Sequence, residues 1–146
     1  MLAASQSLEE HVTEKLVKHI MHNGVIGCKS DTPLSEVVRI LSDTDIHALV
    51  VTGDSGEVVG VVSHMDIIPH HDEDLTQLTA REVMTSKVIT VTPEAKVTEA
   101  IDVMVKNRIH RLVVSEPEGD KVLPVGVLST TDIVREMRGS KWTWYL

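Results

Sequence analysis

The chain contains one stretch of sequence twice, and this repeat limits its folds more than any other feature. Residues 18–51 align without gaps on residues 81–114 at a constant offset of 63. After a three-residue insertion near 116–120, residues 60–67 align on residues 126–133. Two copies are too few for a solenoid, in which many repeats stack on their neighbours. We therefore expect two similar units packed about a pseudo-two-fold axis.

Each copy is predicted to fold as β-α-β-β-α, so the expected fold class is mixed α/β (α+β). A short apolar strand at 25–28 or 88–91 leads into a helix whose apolar residues recur at i, i+3, i+4 and i+7. Two β-branched strands follow, 48–52 with 58–62 in the first copy and 112–115 with 122–128 in the second. Second helices begin near Asp66 and Asp132. Because the strands are apolar at consecutive positions, we expect both faces of each sheet to be covered.

The repeat also predicts the domain organisation. We expect an N-terminal helix at 1–17, a first domain at 18–72, a second domain at 73–140 and an aromatic tail at 141–146. The chain has no Phe, and its three aromatic residues, Trp142, Trp144 and Tyr145, lie in that tail. The cores must therefore be aliphatic. Since Trp and Tyr are common at interfaces, the tail is expected either to fold onto the N-terminal helix or to pack across a dimer.

Composition and charge exclude several classes of protein. The 14 Lys and Arg residues against 22 Asp and Glu give a formal net charge of −8, the wrong sign for a nucleic-acid duplex. No apolar run approaches the roughly 18–20 residues of a membrane span, and no signal segment is apparent. The single Cys28 excludes an internal disulfide and is expected to be an inert thiol on a buried strand. We expect a soluble, cytoplasmic protein.

A Gly-x-x-Ser-x-x-Asp segment stands at a strand-to-helix junction in both copies. In one interpretation Ser63 and Ser129 cap the following helices, and Asp66 and Asp132 complete capping boxes. In the other, the helix start is a polar notch, where the Asp carboxylate accepts from a ribose diol while the hydroxyl and backbone N–H groups face phosphate. Both hold together if the Ser caps the helix while the Asp turns outward.

Other chemistry is thinly represented in the sequence. The linker at 70–74 reads His-His-Asp-Glu-Asp, but adjacent residues of a linker point apart, so we expect no metal site. Nucleophile–base sets, carboxylate pairs and Gly-rich phosphate loops are not apparent. The chain is therefore expected to have no enzyme activity.

In order, spacing and duplication, the motifs resemble a tandem pair of cystathionine-β-synthase (CBS) domains. The resemblance rests on residues 83–84, 88–91, 97–101, 109–114 and 126–133, and on their counterparts 20–21, 25–26, 34–38, 46–51 and 60–67. It covers roughly residues 18–138. The family is a small module that senses adenosyl ligands, so the resemblance implies a pocket in the cleft between the paired domains.

The resemblance also assigns ligand contacts by position. In the second copy it implies that Ile89 and Ile109 flank an adenine, that Asp132 holds the ribose, and that phosphate is contacted by Ser129, Thr131, His110 and Arg111. The matching first-copy residues are Ile26, Ile46, His47, Ser63 and Asp66, whereas Ala48 and Met65 replace the Arg and the Thr. We infer that the second-copy site prefers a phosphorylated nucleotide. The first site is expected to be weaker, empty or suited to a less charged adenosyl ligand.

Structural roles remain open for some of these residues. Arg111 flanks a strand and can be a solvated surface residue, and His47 and His110 share one repeat position and so can share a structural role. The resemblance nevertheless implies a regulatory module that binds AMP, ADP or ATP, with S-adenosylmethionine and NAD as further candidates, and that requires no cofactor. It implies a homodimer that signals to an unknown effector protein, with neither a membrane nor a nucleic-acid duplex as partner. The alternative is an interaction or dimerisation subunit with degenerate pockets.

Overall fold

The computed structural model describes residues 15–46 and 48–138. Most of the helix predicted at 1–17 lies outside the described residues, as do His47 and the tail with Trp142, Trp144 and Tyr145. The described chain forms two compact units. We call residues 15–23, 90–115 and 125–138 the second-copy unit, and residues 24–89 and 116–124 the first-copy unit.

Both units are built from short strands and helices. In chain order the described elements are α1 (Val17–Ile20), β1 (His22–Asn23), β2 (Gly27–Lys29), α2 (Leu34–Asp43), β3 (Ala48–Thr52), β4 (Val58–Ser63), α3 (His64–Ile67), α4 (Ala80–Val83), β5 (Thr90–Val91), α5 (Val97–Asn107), β6 (Arg111–Glu118), β7 (Lys121–Ser129) and α6 (Thr130–Arg138). The strands form two sheets, ordered β2-β3-β4 and β1-β7-β6-β5. Each copy shows the β-α-β-β-α order, and the mixed α/β fold class is confirmed.

The sequence repeat is also a repeat of strand pairing. The parallel pair β2–β3 aligns Cys28 with Val51, and the parallel pair β5–β6 aligns Val91 with Val114. These four residues occupy equivalent positions of the two copies, because each differs from its counterpart by the offset of 63. Residues that match in sequence therefore hold matching places in the two sheets.

The buried cores are aliphatic, as the absence of Phe predicts. Five pairs of equivalent residues are fully buried: Leu34 and Val97, Val37 and Ala100, Leu49 and Leu112, Val51 and Val114, and Val62 and Leu128. Strand β3 and the first half of β6 are buried at consecutive positions, as expected. In β4 and β7, however, buried residues alternate with partly exposed ones. One face of each of these two strands is therefore less completely covered than expected.

The second copy differs from the first in its hairpin and its last helix. Strand β6 extends to Glu118 and β7 begins at Lys121, so the three-residue insertion lengthens the hairpin and the turn is confined to residues 119–120. Helix α3 ends at Ile67 and continues as a 3-10 turn that contains Pro69, whereas α6 runs for nine residues. Proline lacks a backbone N–H, which accounts for the shorter helix in the first copy.

Each unit includes a short segment, here called an arm, from just before the other copy. The segment that leads into the first copy joins the second-copy unit, and the segment that leads into the second copy joins the first-copy unit. The first arm, residues 15–23, belongs to the second-copy unit. In it the Val17 N–H donates to the Ala95 carbonyl (2.8 Å) and the Lys18 N–H donates to the Pro93 carbonyl (3.0 Å). Strand β1 then pairs with β7, and the Val17 side chain is fully buried. The first arm is thus an integral part of the second-copy unit.

The second arm, residues 79–85, has the equivalent place in the first-copy unit. The Ala80 N–H donates to the Thr32 carbonyl (2.9 Å), which repeats the bond from Val17 to Ala95 at the offset of 63. Thr85 forms an antiparallel bridge with Val61, just as β1 pairs with β7. The chain therefore crosses from one unit to the other after residue 23 and again after residue 89.

A glycine lets each arm lie against its sheet. A Cβ atom on Gly126 in β7 would clash with the backbone carbonyl oxygen of His22 in the first arm. A Cβ atom on Gly60 in β4 would clash with the Met84 thioether and lie 3.1 Å from the Thr85 carbonyl oxygen. Glycine inside a strand often marks such a close approach of another backbone. The glycine of the repeated Gly-x-x-Ser-x-x-Asp motif thus positions the arm at the site.

Candidate functional site

The second-copy motif forms a complete cap at the start of α6. The Ser129 N–H donates to Asp132 Oδ2 (2.8 Å), and the Ser129 hydroxyl lies 3.0 Å from the same oxygen. In return, the Asp132 N–H donates to Ser129 Oγ (3.2 Å). The capping interpretation of this motif is therefore correct, since two residues satisfy backbone donors that the helix itself leaves unpaired.

The same Asp132 carboxylate also contacts the first arm. Its second oxygen, Oδ1, lies 3.2 Å from His22 Nδ1, and the Asp132 side chain is only 5% exposed. The expectation that the Asp turns outward needs correction, because one oxygen serves the cap and the other faces the arm. A ligand diol at this carboxylate would share Oδ1 with the imidazole, because one carboxylate oxygen can accept two hydrogen bonds.

The other polar residues assigned to the second-copy site lie at the start of β6 or in the first turn of α6. The Thr130 N–H donates to the His110 carbonyl (2.9 Å), which ties the start of β6 to the start of α6. The side chains of His110 and Thr131 are exposed, and Arg111 is half-buried. Burial lowers the pKa of the Arg111 guanidinium from its ordinary value, although an Arg remains charged at neutral pH. One compact unit thus brings these polar groups together.

The two isoleucines assigned to adenine, Ile89 and Ile109, belong to different units. Ile109 is half-buried in the second-copy unit, at the end of the turn after α5, and its N–H donates to the Met104 carbonyl (3.1 Å). Ile89 is the last residue of the first-copy unit before the chain enters β5. The contacts of both residues with an adenine stay predictions.

The first-copy motif forms an equivalent cap at the start of α3. The Ser63 N–H donates to Asp66 Oδ2 (2.8 Å), and the Ser63 hydroxyl lies 3.2 Å from that oxygen. The Thr85 hydroxyl lies 3.4 Å from Asp66 Oδ1. Asp66 is partly exposed, whereas its counterpart Asp132 is buried.

The remaining first-copy residues are apolar or lie outside the described residues. The Ile26 carbonyl accepts from the Val50 N–H (3.1 Å), and the residue is 44% exposed. Ile46 packs against the aliphatic core. Met65, which replaces the Thr, is 72% exposed, and His47 lies outside the described residues. Within its described part, this site lacks the cation that Arg111 supplies in the second copy, because Ala48 stands at that position.

The sequence reasoning missed the two arm residues that contact the capping carboxylates. His22 and Thr85 occupy the same repeat position, one residue after Met21 and Met84. The repeat offset of 63 relates the two residues, but the sequence analysis did not single them out. The offset does not reveal that the first arm joins the second-copy unit and the second arm the first-copy unit. Neither residue was therefore associated with the carboxylate that it contacts.

Other candidate chemistry is limited in the described residues. Among residues 15–46 and 48–138, no group of three or more His, Cys, Asp and Glu side chains could hold a metal ion. In the linker, His70 contacts Glu73 through Nδ1. No helix in the described part of the chain is long and apolar enough to cross a membrane. Cys28 is half-buried on β2, and burial raises the pKa of its thiol despite a hydrogen bond with Thr32.

These features define a class of protein: two tandem β-α-β-β-α domains, each with a capped helix start at which polar groups gather. The CBS domain family model matches residues 17–71 and 80–139, which together make up most of the chain. The protein belongs to the CBS domain family, and it carries the domain twice.

Relatives and solved structures agree with this assignment. The chain is 26% identical to the Methanocaldococcus jannaschii protein MJ1426, over 84% of this chain and 90% of that protein. It is 25% identical to inosine-5′-monophosphate dehydrogenase of the same organism, over 92% of this chain but only 27% of the dehydrogenase. Its fold matches the crystal structure of the CBS domain pair of protein MJ0100 in complex with 5′-methylthioadenosine and S-adenosyl-L-methionine. The TM-score is 0.76 at 28% identity, covering 87% of this chain and 98% of the other.

Proposed function

We propose that the protein is a regulatory module that binds an adenosyl ligand and signals through a change of conformation. The observation that carries the proposal is the group of polar residues at the start of α6, namely His110, Arg111, Ser129, Thr131 and Asp132, in a single compact unit. A helix N-terminus with a cation nearby suits phosphate, and a carboxylate suits a ribose diol.

Membership of the CBS domain family supports this function, and so does a similar structure. The CBS domain pair of MJ0100, which is 28% identical to this chain, was crystallised with two adenosyl compounds. AMP, ADP and ATP are the ligands that we propose for the second-copy site, because Arg111 supplies a positive charge there. S-adenosylmethionine and 5′-methylthioadenosine suit the first-copy site better, since Ala48 replaces the cation.

Such a ligand would regulate the protein because its binding is coupled to a conformational equilibrium. A ligand that binds one arrangement of the chain more tightly than another shifts the population toward the first, and thereby changes the surface offered to a partner. This mechanism needs no catalytic group. We accordingly propose a protein without catalysis of its own. The dehydrogenase that it resembles is matched over only 27% of its length, so that protein's activity is not transferred to this chain.

A thermal-shift panel of adenosine, AMP, ADP, ATP, 5′-methylthioadenosine, S-adenosylmethionine and NAD tests the proposal. A ligand present at 100 times its dissociation constant should stabilise the fold by about 2.7 kcal/mol. The Asp132→Asn variant should lose most of this effect for the second-copy ligand. Asn is the suitable replacement because its amide oxygen still accepts from the Ser129 N–H, whereas Ala would remove the cap as well. If no compound of the panel shifts the melting curve, adenosyl-ligand binding is wrong.

Exposed apolar residues on the last helix of each copy favour a second function, that of an interaction or dimerisation subunit. Val134 and Met137 on α6 are 63% and 52% exposed, and Ile68, which matches Val134 in the repeat, is 56% exposed. We propose that these residues pair two chains into a homodimer. Light scattering on the Val134→Lys variant tests this: a monomer is expected, and an unchanged dimer mass would contradict it. Deletion of residues 141–146 tests separately whether the aromatic tail contributes.

A further inference from the structure

The arm residue beside the capping carboxylate differs between the two sites. His22 Nδ1 lies 3.2 Å from Asp132 Oδ1, and Thr85 Oγ1 lies 3.4 Å from Asp66 Oδ1. In both sites the other carboxylate oxygen, Oδ2, accepts from the capping Ser. One repeat position thus supplies an imidazole to one site and a hydroxyl to the other.

We propose that His22 is a specificity-determining residue, which makes the second-copy site favour a ligand with a phosphate over a neutral adenosyl ligand. The inference rests on the proposed function and deepens it, because it assigns the sorting of ligands by charge to a residue outside the motifs of the second copy. Its counterpart Thr85 offers no charge to the first-copy site.

The placement of the ring supports this role. The His22 side chain is 68% exposed while that of Asp132 is 5% exposed, so the imidazole lies between a buried carboxylate and solvent. With Nδ1–H donated to Asp132, Nε2 is the ring nitrogen that remains for a ligand. Nε2 can donate to a phosphate oxygen only when the ring carries both protons, so a bound phosphate would be met by an imidazolium. Hydrogen bonds between charged groups are about twice as strong as neutral ones.

The other basic residues of the first arm make contacts elsewhere. Lys15 Nζ lies 3.6 Å from Glu136 Oε1. Lys18 Nζ donates to the Glu94 carboxylate (3.1 Å), and His19 Nδ1 accepts from the Leu16 N–H (2.9 Å). His22 contacts the carboxylate of Asp132 on α6. Arg111 begins β6 in the same unit, and His110 precedes it in the chain. Of the four basic residues in the first arm, His22 is the one that contacts a carboxylate of the candidate site.

Calorimetric titration with AMP and with adenosine, which differ by one phosphate, tests the proposal. Every protein in the test carries Asp66→Asn, which keeps an acceptor for the Ser63 cap but removes the charge of the first-copy site. The His22→Thr variant places the residue of the first-copy site in the second. The His71→Thr variant is the control, because it removes an exposed histidine from the other unit. Each titration is run in two buffers of different ionisation enthalpy, which reports proton uptake.

We expect His22→Thr to weaken AMP binding about tenfold, as the loss of a charged hydrogen bond implies, and adenosine binding by less than about twofold. Proton uptake with AMP should fall in His22→Thr and persist in His71→Thr. An equal loss for both ligands would show a purely structural role and overturn the proposal, and so would unchanged AMP binding. If AMP fails to bind while 5′-methylthioadenosine or S-adenosylmethionine does, the inference is wrong but the proposed function stands. If no compound of the panel binds, both are wrong.

Discussion

Replacement of Gly126 by Ala should undock the first arm from the second-copy unit. The added Cβ would meet the backbone carbonyl oxygen of His22, and a backbone atom cannot rotate away as a side chain can. Overpacking of this kind costs about 1–3 kcal/mol if the neighbouring chain adjusts. The largest possible cost of the substitution is the free energy of undocking the arm completely.

The cost of undocking follows from the contacts of the arm. The arm is held by the pairing of β1 with β7 and by three further backbone hydrogen bonds: Val17 to Ala95, Lys18 to Pro93, and Val97 to the Lys15 carbonyl (3.1 Å). Each of the three contributes about 1 kcal/mol net, and burial of the Val17 side chain contributes roughly 1.5–3 kcal/mol. Complete undocking would therefore cost at least about 5 kcal/mol, and we expect Gly126→Ala to lose about 3 kcal/mol in the free energy of unfolding.

The matched variant is Gly60→Ala, which tests the same position in the first-copy unit. There the clash is with the flexible Met84 side chain, while the nearest backbone atom, the Thr85 carbonyl oxygen, lies 3.1 Å away. We expect a loss smaller by about 1 kcal/mol or more, because a thioether can change rotamer. Urea unfolding followed by far-UV circular dichroism measures both, and hydrogen exchange at residues 17–23 reports the arm. Equal losses, or unchanged protection of the arm in Gly126→Ala, would refute the reasoning.

Three further predictions concern the cap, the thiol and a surface pair. Asp132→Ala should lower the free energy of unfolding by about 0.5–2 kcal/mol because it removes a capping-box partner, whereas Asp132→Asn should cost less; thermal melts without ligand compare the two. Cys28 should react slowly with a thiol reagent at neutral pH and faster after unfolding, because burial raises the pKa of its thiol; equal rates would contradict this. Arg39 donates to the exposed Glu36 and lowers its pKa from the usual 4.5. Stability from this pair is therefore present above pH 4.5 and is lost as the pH falls through the lowered pKa, so the melting temperatures of wild type and Glu36→Gln should converge in acid.

The sequence was a sufficient guide to the elements and to the core. Five pairs of equivalent positions, Leu49 and Leu112 among them, recur in the repeat and are fully buried. Apolar residues that recur in the repeat therefore predict which positions are buried in each copy. The repeat could not report the length of the β6–β7 hairpin, because Pro117 and Gly119 are both turn formers and only Gly119 lies in the turn.

The candidate site was predicted in part. Local chemistry identified the caps, since Ser129 and Asp132 are three residues apart and the spacing itself produces the hydrogen bonds. The contact of Asp132 with His22 joins residues more than a hundred positions apart and depends on which unit each arm joins. Sequence periodicity does not indicate which unit an arm joins, so the contacts of the arms with the carboxylates were not predicted.

The crossing of the arms also sets the order in which the chain can close its two sheets. Thr85 bridges Val61, only 24 residues back along the chain, whereas His22 pairs with Val127, 105 residues away. The longer loop costs about 1.3 kcal/mol more in closure entropy. During synthesis at 5–20 residues per second, roughly 2–8 s separate the emergence of Thr85 from that of Val127.

For that interval the newly made first arm has no β7 against which to pair, and the apolar Val17 has no core in which to be buried. The first-copy sheet can close in the meantime. The first arm, which is the earliest described segment, cannot pair until β7 near the end of the described chain has been made. We therefore expect a nascent chain of this protein to pass through a state with one sheet closed and a free strand edge. That state is the one in which an arm could pair instead with a neighbouring nascent chain.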